Sequence, residues 1–159
     1  MKEISLRING ESKRLRVKPN STLLAVLRNE LGMMGVKEGC GLGECGACVV
    51  LMNNRPVNSC LLLAVEAEGK EITTIEGLSL AGLDPLQEAF IEHGAVQCGF
   101  CTPGMILTAK GLLNRNPSPD EDVIREALAG NLCRCTGYVR IVSAIQGVVS
   151  KGKRKSGCQ

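Results

Sequence analysis

Gly39-Cys40-Gly41-Leu42-Gly43-Glu44-Cys45-Gly46-Ala47-Cys48 places three cysteines and four glycines in ten residues, and Cys60 follows twelve residues on. Glycine at this density suits neither a helix nor a strand, so the segment reads as a loop. Four thiols gathered around one loop are soft ligands that become anionic when they bind metal. A buried negative centre also needs N–H donors around it. Glycines between the cysteines let the backbone take positive φ and turn its amides toward the sulfurs. The rest of the chain has to supply a frame that holds this loop closed.

The flanking residues read as such a frame. Upstream, Ile4, Leu6 and Ile8 alternate with polar residues, Asn9-Gly10 is a strong hairpin turn, and Leu15 and Val17 alternate on the returning strand. Ser21 is a suitable N-cap for a helix carrying Leu23, Leu24, Leu27 and Leu31, with Gly32 ending it. Downstream, strand signal resumes at Val49–Met52, turns at Asn53-Asn54, and recurs near Cys60 to Val65 and at Ile72–Ile75. Hairpin, helix and further strands predict an α+β domain with a mixed sheet.

Beyond Leu78–Leu83 the period changes to helical. Asp84-Pro85-Leu86-Gln87 combines an N-cap, a first-turn proline and a glutamine at the third position. Thr102-Pro103 opens a helix through Leu113. Ser118-Pro119-Asp120-Glu121 reads as a capping box for a helix ending at Gly130. A last helix is expected from about Gly137 to Val149, with Ile141, Ile145 and Val148/Val149 at helical spacing. Four helices with short links predict a small bundle.

The cysteine spacing narrows the metal. C-x4-C-x2-C with a fourth cysteine further on is the pattern of plant-type [2Fe–2S] sites. Zinc sites built on four thiolates commonly pair two C-x2-C knuckles, and Cys40, Cys45, Cys48 and Cys60 include one, so this set reads as an iron–sulfur site. The second set is Cys98, Cys101, Cys133 and Cys135. Its C-x2-C and C-x-C pairs leave zinc and [2Fe–2S] about equally open on spacing alone. Each pair stands just before an expected helix start, at Thr102-Pro103 and Thr136-Gly137. Two helix dipoles would then favour one anionic centre. Sharing a chain with the first set favours a second cluster. Nine cysteines less these eight leave Cys158, in the polar tail, as a free exposed thiol.

Composition excludes other classes. Hydrophobic residues make up 44% of the chain and aromatics 2%, so the core rests on aliphatic side chains. No apolar run approaches the ~18 residues of a membrane span. The first residues alternate polar and apolar and do not read as a secretory signal, so a cytoplasmic location, where thiols stay reduced, is expected. The net charge is +3, with Lys151, Lys153, Arg154 and Lys155 in a tail that reads as a solvated, frayed end. Two oxidised clusters with their thiolates would more than cancel that charge. A basic face interleaved with aromatics, as nucleic-acid binding requires, is not present. The sole histidine, His93, reads as a surface or helix C-terminal residue.

Three motifs together carry a resemblance. Gly39–Cys48 is similar to the ferredoxin loop of the molybdenum hydroxylase (xanthine oxidase) family. Gln97-Cys98-Gly99-Phe100-Cys101-Thr102-Pro103-Gly104 and Gly130-Asn131-Leu132-Cys133-Arg134-Cys135-Thr136-Gly137-Tyr138 resemble its second cluster site. The resemblance covers residues 3 to 150 and is closest to the separate iron–sulfur (small) subunits of xanthine, nicotinate, CO and aldehyde dehydrogenase type.

It implies an N-terminal β-grasp [2Fe–2S] ferredoxin-like domain over residues 1–77, a C-terminal four-helix bundle [2Fe–2S]-binding domain over 84–150, and a basic tail over 151–159. It further implies an electron-transfer role with no substrate chemistry on this chain. Electrons would pass from a molybdopterin centre on a large subunit to FAD on a medium subunit. Gln97 and Cys135 would lie nearest the pterin. The expected assembly is a hetero-oligomer, such as a dimer of heterotrimers. Val49 and Val139-Arg140 depart from the family's usual Thr and Arg-Pro, outside the ligands, where they could tune potential. The competing readings are a free-standing ferredoxin-like carrier and a zinc-stabilised interaction module.

Overall fold

Asn9 and Gly10 both take positive φ, 51° and 87°, the geometry that matches a two-residue hairpin turn to strand twist. The turn folds β1 (Lys2–Ile8) onto β2 (Glu11–Val17), with Ile4 opposite Leu15 and Ile8 opposite Glu11. Alternation puts Ile4, Leu6 and Ile8 in the core. The structure is a computed structural model that describes the backbone of residues 1–156 and side chains through Gly152. Cys158 lies outside the described residues.

The expected first helix differs from the reading. Its N-cap is Thr22, whose hydroxyl accepts from the Ala25 amide at 3.1 Å, while the Ser21 carbonyl accepts from Ala64. After α1 (Leu23–Ala25) the backbone widens to π winding over Val26–Glu30. Leu23, Leu24, Val26 and Leu27 are all buried, so the segment still turns one broad apolar face to the core.

β3 (Val49–Met52) turns at Asn53 and Asn54, which take φ of 48° and 64°, into β4 (Arg55–Asn58). The strand expected near Cys60 to Val65 is instead a turn and a 3-10 segment at Ala64–Ala67. Pro56 obscures β4 in the sequence because it cannot donate to a ladder, and it is tolerated since β4 is an edge strand. β5 (Glu71–Thr73) stops short of Ile75. The Asn9 side chain accepts from the Thr74 amide at 2.9 Å and donates to the Thr74 hydroxyl at 3.0 Å, occupying both groups. The sheet order is β2-β1-β5-β3-β4, with β1 and β5 parallel and the other pairs antiparallel.

The second half carries α2 (Pro85–Glu92), α3 (Thr102–Arg115), α4 (Glu121–Ala127) and α5 (Val139–Ser156). The Asp84–Gln87 capping box forms as read: Asp84 accepts from Leu86 and Gln87 accepts from the Asp84 amide. The Ser118 box does not form. Asp120 is the N-cap and accepts from Val123 at 2.9 Å, while the Ser118 amide donates to Asn116. α4 ends at Ala127, three residues before the expected Gly130. α5 starts at Val139, because Gly137 and Tyr138 are both left-handed. It runs past Val149 into the tail expected to be frayed, and Lys151 pairs with Glu92 at 2.7 Å. Among the described residues no helix is long and apolar enough to cross a membrane.

Two apolar clusters form, one under the sheet and one among the helices. Val49, Leu51 and Leu107 join them where α3 lies on β3. This contact is close. A Cβ on Gly111 would meet the Pro56 ring at 2.6 Å, and one on Gly104 would meet the Gly46 carbonyl oxygen at 2.2 Å. The Gly46 obstacle is backbone and cannot swing away. Gly104→Ala should therefore cost about 1–3 kcal/mol of stability, the usual range for overpacking. Gly130→Ala, where a Cβ meets nothing within 4 Å, should be nearly neutral. Thermal unfolding of the two variants side by side checks this.

Candidate metal centres

The loop before β3 is built as its glycines require. Gly41, Gly43 and Gly46 take φ of 66°, 80° and 69°. A Cβ on Gly39 would fall 2.8 Å from Cys45 Sγ, and one on Gly43 would fall 2.4 Å from Leu61. The Leu42 amide donates to Cys40 Sγ at 3.3 Å. With the amides of Cys45 and Glu44 it draws the Cys40 thiol down to about 6. At the inner side, burial and then the neighbouring Cys48 push Cys60 up to about 11. Cys48 is pinned to the turn after β4: its carbonyl accepts from Ser59 Oγ at 2.7 Å, and its Sγ lies 3.9 Å from Asn58 Oδ1. Asn58 also donates to the Gly43 carbonyl at 2.9 Å.

The second set forms from the α2–α3 and α4–α5 connections. Cys101 is the N-cap of α3, and burial, then Cys133, pushes its thiol up to about 12. Burial acts the same way on Cys133, but the Thr136 hydroxyl and amide outweigh it and leave that thiol below its ordinary value. Cys135 is raised, chiefly by contact with Cys98. One expected helix terminus is displaced: α5 begins four residues beyond Cys135, so its first turn does not follow the ligand pair directly.

Within each set the thiols lie close enough to shift one another, most strongly Cys48 on Cys60, Cys133 on Cys101 and Cys98 on Cys135. Among the described residues no three His, Cys, Asp or Glu side chains gather as ligands of a single ion. Paired thiols suit a centre with two metals, each taking two thiolates. The donor set is all sulfur, and the cradle of the first set is one a Cβ would obstruct. These features fit [2Fe–2S] groups.

Sequence reasoning gave Asn131 no role, yet it joins the two loops. Its buried side chain donates to the Gly46 carbonyl at 3.1 Å and accepts from Thr108 Oγ1 at 3.0 Å. Next to it, the Leu132 amide donates to the Cys45 carbonyl at 2.9 Å. Thr136 and Tyr138, around Cys133, were likewise only motif members. The Asn131 role comes from a contact 85 residues away and leaves no spacing signal, while Thr136 and Tyr138 act on Cys133 from three and five residues along the chain. Gln97 and Cys135, the two residues expected nearest the pterin, are both exposed, and Gln97 Nε2 donates to the Cys135 carbonyl at 3.1 Å. His93 is exposed at the C-cap of α2, as read. Asn131→Ala would take the Thr108 hydroxyl's acceptor and leave the Gly46 carbonyl with the Val49 amide as its remaining donor. It should lower stability by about 1–3 kcal/mol, the cost of unmet buried polar groups, measurable by denaturant unfolding.

Comparison with known proteins agrees with this geometry. Residues 6–79 match the model of a 2Fe-2S iron–sulfur cluster binding domain, and residues 74–146 that of a [2Fe-2S] binding domain. The chain is 50% identical over 149 residues to the nicotinate dehydrogenase small FeS subunit of Eubacterium barkeri, covering 93% of this chain and 95% of that one. It superposes on a chain of quinoline 2-oxidoreductase from Pseudomonas putida 86 with TM-score 0.91 and 47% identity, covering 97% and 96% of the two chains. It also superposes on aldehyde oxidoreductase from Desulfovibrio desulfuricans ATCC 27774 with TM-score 0.93 and 42% identity, there spanning 98% of this chain but 18% of the longer one. With both halves matched to [2Fe–2S] binding domains and half of the residues shared with such a subunit over nearly its whole length, the chain belongs to the family of small [2Fe–2S] iron–sulfur subunits of the molybdenum hydroxylases.

Proposed function

We propose that the chain works between a large molybdopterin-binding subunit and a medium FAD-binding subunit, carrying electrons from the first to the second within a molybdenum-dependent hydroxylase or dehydrogenase. Cys40, Cys45, Cys48 and Cys60 hold one [2Fe–2S] cluster, and Cys98, Cys101, Cys133 and Cys135 hold the other. Residues 1–77 are the β-grasp ferredoxin-type unit, 84–150 the four-helix bundle unit and 151–159 a basic extension. When bound, the clusters supply one-electron redox chemistry. The chain's own residues set the environment: amides and glycines around Cys40, burial around Cys48 and Cys60, and Thr136 beside Cys133.

The observation that carries this reading is that the segment carrying Cys40 to Cys48 and the segment carrying Cys133 and Cys135 are bonded to each other, through Asn131 to the Gly46 carbonyl and Leu132 to the Cys45 carbonyl. A soluble carrier with one centre has no use for the second loop. The Gln97–Cys135 contact lies on an exposed patch beside the second set. It supports reading that patch as the face toward the pterin, with the first set facing the FAD subunit. The assembly is a hetero-oligomer, such as a dimer of heterotrimers, in the cytoplasm.

Metal analysis of untagged protein from its native source should return about four iron per chain, with about one molybdenum in the complex. Iron without molybdenum, in an intact preparation, would favour the free-standing carrier. Zinc in place of iron would overturn the electron-transfer reading. Cys45→Ser should remove the EPR signal of the first centre and keep that of the second. The complex should still bind substrate but lose turnover with its physiological acceptor, and unchanged turnover would count against the ligand assignment.

A further inference from the structure

Tyr138 stands in the left-handed region at φ 69°, where a bulky side chain is an outlier. Gly137 before it takes φ 64°, which glycine does without penalty. The chain thus makes two consecutive left-handed steps before α5 begins. A second glycine would make the same turn without strain, so the Tyr138 side chain supplies something the backbone alone does not. Its ring packs against the helical core, in a cleft beside Leu128, Asn131 and Val142. Its hydroxyl reaches back and accepts a hydrogen bond from the Cys133 amide at 2.9 Å. At the other end of Cys133, Thr136 Oγ1 lies 3.0 Å from Sγ and the Thr136 amide donates to that sulfur at 3.4 Å. The Tyr138 amide in turn donates to Thr136 Oγ1 at 3.4 Å. Cys133 is held at its backbone by Tyr138 and at its sulfur by Thr136.

We infer that Tyr138 is a positioning residue for the second metal centre, its strained turn aiming a phenol at the Cys133 amide and withholding that N–H from the sulfur ligands. The inference rests on Cys133 being a cluster ligand, as proposed above. Hydrogen bonds to sulfur help set the potential of such a centre, because they stabilise the added negative charge of the reduced state. An amide tied to a phenol oxygen gives no such help. Removing the hydroxyl releases it.

The test is Tyr138→Phe in the complete multi-subunit enzyme, by redox titration followed with EPR. Wild-type enzyme showing no [2Fe–2S] signals would fail the cluster assignment itself and is thereby separated from failure of this inference. The phenylalanine ring keeps the packing. Iron content and the first-centre signal should match wild type, while the second-centre spectrum changes and its midpoint potential rises. Tyr138→Gly, which relieves the turn and also lacks the phenol, should raise the same potential. A second-centre potential that stays put or falls in both variants overturns the inference. So does a shift of both centres together with lowered thermal stability, because that marks a role in folding only.

Discussion

The carbonyl of Gly46 is the point on which both cysteine sets depend. It accepts the Asn131 side chain, it lies where a Cβ on Gly104 would have to go, and the carbonyl of the preceding Cys45 accepts from Leu132. Each half of the chain has its own apolar core, and two cores can slide against each other. Directional bonds between backbones cannot slide without breaking. The close approach is possible because glycine stands on both sides of it. The buried Asn131 is satisfied at both ends of its amide, and a fully satisfied polar contact specifies one arrangement where apolar packing tolerates several. The loop carrying Cys40 to Cys48 and the loop carrying Cys133 to Cys135 are therefore registered to each other by chain geometry.

Each set also has an inside and an outside. Cys48 and Cys60 are buried while Cys40 is exposed, and Cys101 and Cys133 are half-buried while Cys98 and Cys135 are exposed. A relay needs both conditions. Burial lowers the dielectric and shields a centre from solvent, and an exposed edge gives a partner close access. The two sets meet at the seam through Gly46 and Asn131 and carry exposed thiols, which gives a chain with one internal joint and two accessible ends.

Much of this was legible in the sequence because it rests on local chemistry. The Asn9-Gly10 turn, the Asp84 capping box and the glycine-spaced cysteines each follow from a few adjacent residues, and each forms as read. The misreadings share a cause as well. β4 hides behind Pro56, whose placement depends on being at a sheet edge. The π winding after Ala25 carries the same buried face as the expected helix, so the apolar spacing alone does not announce it. Ser118 loses the cap to Asp120, two residues on, because both are good caps and only the fold chooses between them. Asn131 and Tyr138 were inside a recognised motif but act through contacts with Gly46 and Cys133 that a linear reading does not reveal.

The thiols suggest how such a site fills. Each set holds one thiol drawn down by N–H or hydroxyl donors, Cys40 to about 6 and Cys133 in the same direction. Each holds another pushed up by burial, Cys60 to about 11 and Cys101 to about 12. In the chain without metal, amide donors favour the charged form of Cys40, while burial favours the neutral form of Cys60 and Cys101. Thiolate is the form that binds metal, so any metal held by Cys60 and Cys101 requires those buried thiols to release their protons. Acid opposes that release and also disfavours the charged form of Cys40. Thiolate charge created inside the fold is then balanced by the metal it binds. The same burial that disfavours the thiolates of Cys60 and Cys101 would, on the ligand assignment proposed above, insulate the centres they hold.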